Sequence, residues 1–200
     1  MFYDSTGKMR SAGVETTLPE TVEKAGEEEW LKVEWYRNDP HFLAVVLLTS
    51  HHKRFKMRLR PAHLPPSVLN KVVLPSLPAG KTIKNIYADF MRYLFACAEK
   101  SICERHPTVA RSWSDLKESG AITFVIAHPN GWEGAPQAVL RKSAVMGGLV
   151  PDTTEGRSRI SFVTEREAAL HYCIRGGFIN DVRMFYGTLR LLLANYSSGG

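Results

Sequence analysis

The chain has 200 residues, of which 44% are hydrophobic and 23% are charged, an ordinary composition for a globular protein with one sizeable core. Its formal net charge at pH 7 is +6, but the charge is unevenly spread: HHKRFKMRLR (51–60) is basic and the stretch 20–29 is acidic. We interpret both runs as solvated faces, so nucleic-acid binding is not the favoured function. The longest apolar stretch, FLAVVLLTS (42–50), is about half as long as a membrane span, which excludes a membrane partner.

The three cysteines, Cys97, Cys103 and Cys173, form no Cys-x-x-Cys pair and are odd in number. They predict neither a disulfide framework nor a metal site, and we interpret them as small buried hydrophobes. No secretory signal is recognisable at the start of the sequence, so we expect a reducing, cytoplasmic location.

The first third of the chain mixes strand and helix signals. MFYDSTGKMRSAGVE (1–15) predicts a hairpin about a Ser-Thr-Gly-Lys turn, and the acidic stretch 20–35 predicts a helix. FKMRLRP (55–61) alternates apolar and basic residues, which predicts a strand or an extended segment. A proline-rich connector (61–80) follows, and it is too broken for a long regular element.

The connector ends in AGKT (79–82), which resembles the end of a phosphate-binding P-loop. The first glycine of that motif would have to stand where Pro75 stands, and prolines have no N–H group to offer a phosphate. We therefore expect Thr82 to cap a helix that ends before His106-Pro107. Its predicted apolar stripe consists of Ile83, Ile86, Tyr87, Phe90, Leu94, Cys97 and Ile102.

From residue 121 the pattern predicts a β-α-β-α unit. The strands are Ile122 to Ala127 and Ile160 to Val163, and the helix between them is Ala135 to Met146. A capping box, Thr164-Glu165-Arg166-Glu167, opens the last helix. The turn HPNGWEG (128–134) and this capping box both follow strands, so they are expected at the carboxyl edge of a parallel pair, where ligands bind.

These residues carry a family resemblance. ITFVIAHPNGWEGAPQAVLRKSAVMGGLVPDTTEGRSRISFVTEREAALHYCI (122–174) resembles the first lobe of the actin-like ATPase domain of the seventy-kilodalton heat-shock chaperone superfamily, in the divergent branch with an HPNGWEG signature. ADFMRYLFACAEKSI (88–102) is similar to the long helix of that branch, and KVEW (32–35) with FKMRLRP to its upstream segment. The resemblance implies an α/β fold: a partial actin-like, ribonuclease H-like lobe with a β-α-β-α unit, a long helix and an N-terminal hairpin.

The resemblance also implies roles for single residues. Pro129 falls on the proline that switches between nucleotide states, Glu165 on the glutamate near the metal-bound water, and Lys56 on the catalytic lysine. Gln137 stands near the position of the arginine that partners the proline, a departure from the family pattern. From the residues alone, the favoured interpretation is that Pro129 is a strand terminator and Glu165 a first-turn carboxylate. We interpret His128, Trp132 and His171 as packing residues.

The resemblance implies ATP and Mg²⁺ as cofactors and ATP-dependent chaperoning as the family role. The two glycine-rich phosphate hairpins would flank the matched region, before MFYD and after HYCIRGG, and neither is found there. We therefore expect a nucleotide-binding lobe that binds no cofactor by itself, has no metal ligands and is inactive alone. Its protein clients and co-chaperones are not indicated by the sequence. The alternative is a non-catalytic protein-interaction module with a basic surface.

The domain prediction is a truncated first lobe over residues 1–176, followed by a tail foreign to the family over 177–200. YRNDPHFLAVVLLTSHHKR (36–54) interrupts the match, and both an inserted segment and a retained intron would explain it. Without the neighbouring strands of the family sheet, the two strands of the β-α-β unit would form a parallel pair with an exposed edge.

Overall fold

The structure is a computed structural model that describes residues 1–33, 55–63 and 76–175. It is mixed α/β, with a three-stranded antiparallel sheet, a two-stranded parallel sheet and six α-helices in the described ranges. The predicted interruption (36–54) and tail (177–200) lie outside those ranges. None of the described helices is long and apolar enough to cross a membrane.

The N-terminal hairpin is confirmed. Strands β1 (Phe2–Tyr3) and β2 (Met9–Ser11) pair antiparallel, and β3 (Leu31–Lys32) adds to the other side of β1. The turn is held by Asp4, whose Oδ1 accepts hydrogen bonds from the backbone N–H groups of Thr6 and Lys8, both at 2.9 Å.

The helix predicted over 20–35 is shorter than expected. A 3₁₀ helix (Gly13–Thr17) leads into α1, which spans Pro19–Glu27. The chain leaves the helix through Glu29 in a left-handed conformation (φ 52°) and then enters β3. The prediction was wrong beyond Glu27 because pairing with β1 overrides the helical pattern of the acidic stretch.

The segment FKMRLRP does not form the predicted strand. Phe55–Leu59 is a 3₁₀ helix, with Phe55 and Leu59 buried at its two ends. The ring of Phe55 packs edge-on against the rings of Tyr87 (5.2 Å between centroids) and Phe90 (6.2 Å). Alternation over so few residues is compatible with a strand and with a 3₁₀ helix. Here the burial of Phe55 and Leu59 in the core determines which of the two forms.

The long helix is confirmed as α2, Ile83–Arg105. Thr82 caps it, and a reciprocal bond between the Asn85 side chain and the Thr82 backbone completes a capping box. The AGKT stretch is thus a turn before a helix, as expected. A further helix, α3 (Pro107–Glu118), follows directly and was not predicted, because His106-Pro107 was interpreted only as a terminator.

The β-α-β-α unit is confirmed. β4 (Phe124–His128) and β5 (Ile160–Thr164) pair in parallel, with Phe124 opposite Ile160. Helix α4 spans Ala135–Met146, a short α5 (Thr154–Ser158) precedes β5, and α6 (Glu165–Arg175) follows it.

One hydrophobic core joins the hairpin, the 3₁₀ helix at residue 55, α2, α4 and β5. Tyr3, Ile86 and Tyr87 are among its most buried side chains. Helices α2 and α4 approach closely at Gly147, where an added Cβ would lie 2.9 Å from the Ala88 carbonyl oxygen.

The hairpin is fastened to α2 by a polar contact as well. The Tyr3 hydroxyl donates to Asp89 Oδ2 at 3.2 Å, and Lys81 and Arg92 contact the same carboxylate at 2.7 and 2.8 Å. A buried carboxylate with these three partners is satisfied, so the contact fixes the position of the hairpin on the helix.

The prediction that the cysteines are buried hydrophobes was wrong. Cys97 is exposed, and Cys103 and Cys173 are partly exposed. The predicted stripe of α2 is likewise buried only in its first part, since Leu94 is 48% exposed. The middle of α2 borders an open groove, which explains why its apolar residues are not covered in the described structure.

Candidate functional site

The turn after β4 is closed by a single carbonyl group. The Trp132 N–H donates to the Pro129 oxygen at 3.3 Å, and Gly131 takes a positive φ of 77°. This conformation is strained for residues with a Cβ, so the Asn-Gly pair of the signature serves the turn itself. The Trp132 side chain is buried below the turn.

The turn after β5 is a capping box, as predicted. The Thr164 N–H donates to Glu167 Oε2 at 2.8 Å, and the Glu167 N–H donates to Thr164 Oγ1 at 3.2 Å. The Thr164 hydroxyl also contacts Glu167 Oε2 at 2.8 Å. The bonds that the Glu167 carboxylate accepts, first from the Thr164 N–H and then from the Thr164 hydroxyl, lower the pKa of Glu167 below its usual range. Glu167 is therefore a structural carboxylate at the helix start.

Lys56 and Glu165 meet at this edge, although 109 positions separate them in the sequence. Lys56 Nζ contacts Glu165 Oε1 in an ion pair and hydrogen bond. Nearby, burial raises the pKa of Tyr87 above its usual range, and the charge of Glu165 adds to this effect. Both residues singled out by the resemblance thus lie at the carboxyl edge of the parallel pair, where Pro129 also lies.

His128 is the buried polar residue of the edge, with only 2% of its surface exposed. Its Nδ1 lies 2.8 Å from the Pro129 oxygen, and its Nε2 lies 2.9 Å from Nε2 of Gln137, in the first turn of α4. The ring also packs against Phe162 of β5, with 5.9 Å between centroids.

Gln137, near which the resemblance expects an arginine, bonds His128 through its side chain. His128 in turn contacts the carbonyl of Pro129, so its ring connects the first turn of α4 to the turn after β4.

An apolar groove runs from this edge along β4, with a volume of about 370 Å³. One wall is the apolar side of α2, which includes Phe90, Leu94 and Phe95. The other wall is β4, and Lys56, His128 and Pro129 lie at its carboxyl end. Val125, in the middle of β4, is 68% exposed. Among the described residues β4 pairs only with β5, so the groove follows its second edge.

The charged groups of the edge are paired with one another. The N-termini of α4 and α6 both begin here, and Lys56 adds a positive charge that Glu165 balances. The two carboxylates are used otherwise, Glu165 by Lys56 and Glu167 by Thr164. In the described ranges no group of His, Cys, Asp and Glu side chains is arranged to hold a metal, so these residues do not fit the Mg²⁺ that the resemblance implies.

Sequence reasoning missed the pairing of His128 with Gln137. His128 ends β4 and Gln137 lies in the first turn of α4, on either side of the same turn. This closeness in sequence was the feature that could have predicted their contact. Comparison of the chain with protein-family models, with curated proteins and with solved structures found no match.

Proposed function

We propose that the chain belongs to an actin-like, ATP-binding domain of the seventy-kilodalton heat-shock type, whose family role is ATP-dependent chaperoning, and that it does not hydrolyse ATP alone. The observation that carries the proposal is the meeting of Lys56, Glu165 and Pro129 at one strand edge. They come from three separate segments, and the resemblance assigned each a role at the same site.

The roles follow from the side chains. Lys56 is suited to contact a phosphate oxygen, and Glu165 to orient a water molecule. In the described state the two residues neutralise each other, so an incoming phosphate must compete with Glu165 for the lysine. Binding of nucleotide to this edge alone is therefore weak.

Hydrolysis needs more than these two groups. Rigid N–H donors must hold the phosphates and a metal ion must neutralise the charge that develops. The described residues provide no such metal site. This is why we expect the chain to be inactive alone, with the remaining elements supplied by other residues.

The experiment is a titration with Mg-ATP followed by the backbone NMR signals of the edge. We expect shifts confined to the residues around Lys56, His128 and Glu165, without saturation below ~1 mM. Lys56→Gln should abolish the shifts, and the matched control Arg58→Gln should retain them. Shifts that are absent from the edge, or that survive Lys56→Gln, would contradict the proposal.

A second candidate function is a non-catalytic protein-interaction module. The groove along β4 favours it, since its walls are apolar and both Val125 and Leu94 are exposed. Tight binding of a protein partner that is unaffected by nucleotide and by Lys56→Gln would favour this candidate over the first.

A further inference from the structure

The carbonyl group of Pro129 accepts two hydrogen bonds. One comes from the Trp132 N–H, which closes the turn at 3.3 Å, and the other involves His128 Nδ1 at 2.8 Å. The histidine ring therefore holds the same atom that closes the turn. Since the ring is almost fully buried, this contact does not compete freely with water.

The two contacts of the ring define its tautomer. A carbonyl oxygen can only accept, so Nδ1 must carry the hydrogen. In the neutral ring Nε2 is then an acceptor, and it faces the amide nitrogen of Gln137, which can only donate. Each ring nitrogen thus has a partner of the matching kind.

We propose that His128 is a positioning residue that fixes the His-Pro-Asn-Gly turn, with its tautomer set by the Pro129 carbonyl, and that Gln137 supports the ring by giving Nε2 a hydrogen-bond partner at the start of α4. Any role of this turn in nucleotide binding rests on the proposed function, but the hydrogen bonds of His128 do not depend on it. These bonds link the start of α4 to the turn through one imidazole ring.

The amide of Gln137 is suited to this task. When His128 is protonated, Nε2 carries a hydrogen and needs an acceptor, and rotation of the amide presents Oε1 in place of the NH₂ group. Gln137 is only partly buried, so this rotation has room. The bond from Nδ1 to Pro129 remains in both states, and the turn is held in both.

Other side chains at position 137 cannot make the same hydrogen bonds to His128. A methionine in place of Gln137 has similar length but does not donate to Nε2, so it removes this partner while the Pro129 carbonyl still holds the hydrogen on Nδ1. A glutamate only accepts, so it cannot donate to Nε2 of the neutral ring either.

Phe162 on β5 packs against the ring, Glu167 on α6 interacts with it electrostatically, and Lys56 on the 3₁₀ helix lines the same groove. Glu167 also interacts electrostatically with His171. All of these groups are the same in the Gln137 variants, so differences between those variants report on Gln137 alone.

The test measures the ring nitrogens of His128 by ¹⁵N NMR as a function of pH, in the full chain and without nucleotide. We expect the neutral ring to carry its hydrogen on Nδ1 in the wild-type chain and in Gln137→Met, because the Pro129 carbonyl is present in both. Gln137→Met and Gln137→Glu should both shift the Nε2 signal, since neither side chain can donate a hydrogen bond to it. A neutral ring with its hydrogen on Nε2, or an Nε2 signal unchanged in both variants, would overturn the proposal.

Hydrogen exchange of the Trp132 amide tests the link to the turn. We expect its protection to fall at least ~10-fold in His128→Phe but not in His128→Asn, whose amide can still donate to Pro129. Equal protection in both His128 variants would contradict the positioning role. Since no nucleotide is present, failure here is distinct from failure of the proposed function.

Discussion

Lys56 and Glu165 form an ion pair across 109 sequence positions, at the carboxyl edge of the only parallel strand pair in the described ranges. A 3₁₀ helix supplies the lysine and the first residue of α6 supplies the glutamate. The contact joins two segments that are distant in the sequence, at the edge where parallel sheets generally bind ligands.

The strength of this ion pair is the first prediction. A double-mutant cycle with Lys56→Met and Glu165→Gln should give a coupling of about 0.2–1 kcal/mol, because the Glu165 side chain is 48% exposed and the pair is partly screened by water. The more exposed pair Lys100–Glu104 is the matched control and should give a smaller coupling. Urea unfolding of the four variants measures both values, and equal coupling in the two pairs would contradict the prediction.

Part of the loss of stability at alkaline pH should come from Tyr3. Burial, and then the charge of Asp89, raises the pKa of Tyr3 well above its usual range near 10. The unfolded chain therefore loses the proton first, so the stability that Tyr3 contributes is complete below about pH 10 and is lost as the pH rises further. Tyr3→Phe should lower stability by ~1 kcal/mol at neutral pH and flatten this decline.

Thermal unfolding between neutral and strongly alkaline pH provides the measurement, with Tyr172→Phe as the control for an exposed tyrosine. An identical alkaline decline in Tyr3→Phe and wild type would show that Tyr3 is not the group responsible.

Two adjacent glycines after α4 should respond to substitution for different reasons. Gly147→Ala places a methyl group 2.9 Å from the Ala88 oxygen, so we expect a loss of about 1–3 kcal/mol from the contact between α2 and α4. Gly148 has open space around it but a φ of 77°, so Gly148→Ala should cost about 1 kcal/mol through the backbone alone.

Asparagine distinguishes the two causes, because it tolerates the left-handed conformation. Gly148→Asn should recover most of the lost stability, while Gly147→Asn should be no better than alanine. Recovery at both positions would mean that the close approach at Gly147 is not limiting.

The groove along β4 should make the chain bind a hydrophobic dye. Val125→Lys places a charge on the exposed strand and should reduce dye binding and concentration-dependent aggregation. Val14 is similarly exposed, at 72%, but lies outside the groove, so Val14→Lys is the control and should leave both unchanged. A similar effect of the two substitutions would show that overall charge, rather than the groove, governs association.

Local signals in the sequence predicted most of the elements. The capping residues Thr82 and Thr164 marked helix starts, and the Gly-Gly pair at 147–148 marked the end of α4, because each meets a hydrogen-bonding or backbone demand that few residues can satisfy. The parallel pairing followed from the order strand, helix, strand.

The sequence was less informative where tertiary contacts determine the outcome. Alternation in FKMRLRP did not reveal that Phe55 packs on Tyr87 and Phe90, which anchors a 3₁₀ helix. The meeting of Lys56 with Glu165 has no local signal either, and only the family resemblance placed them at one site. The pairing of His128 with Gln137 depends on the path of the turn between them, which periodicity does not describe.

We propose that this edge holds part of an ATPase site that does not turn over ATP alone. The most direct measurement is phosphate release from Mg-ATP by the purified 200-residue chain beside its Glu165→Ala variant. We predict no release above buffer from either protein, because Lys56 and Glu165 by themselves supply neither rigid phosphate donors nor a metal ion, and one such donor is worth on the order of 3 kcal/mol of transition-state stabilisation. Turnover by the chain that disappears in Glu165→Ala would contradict the account, since it would mean that this chain assembles a complete nucleotide site.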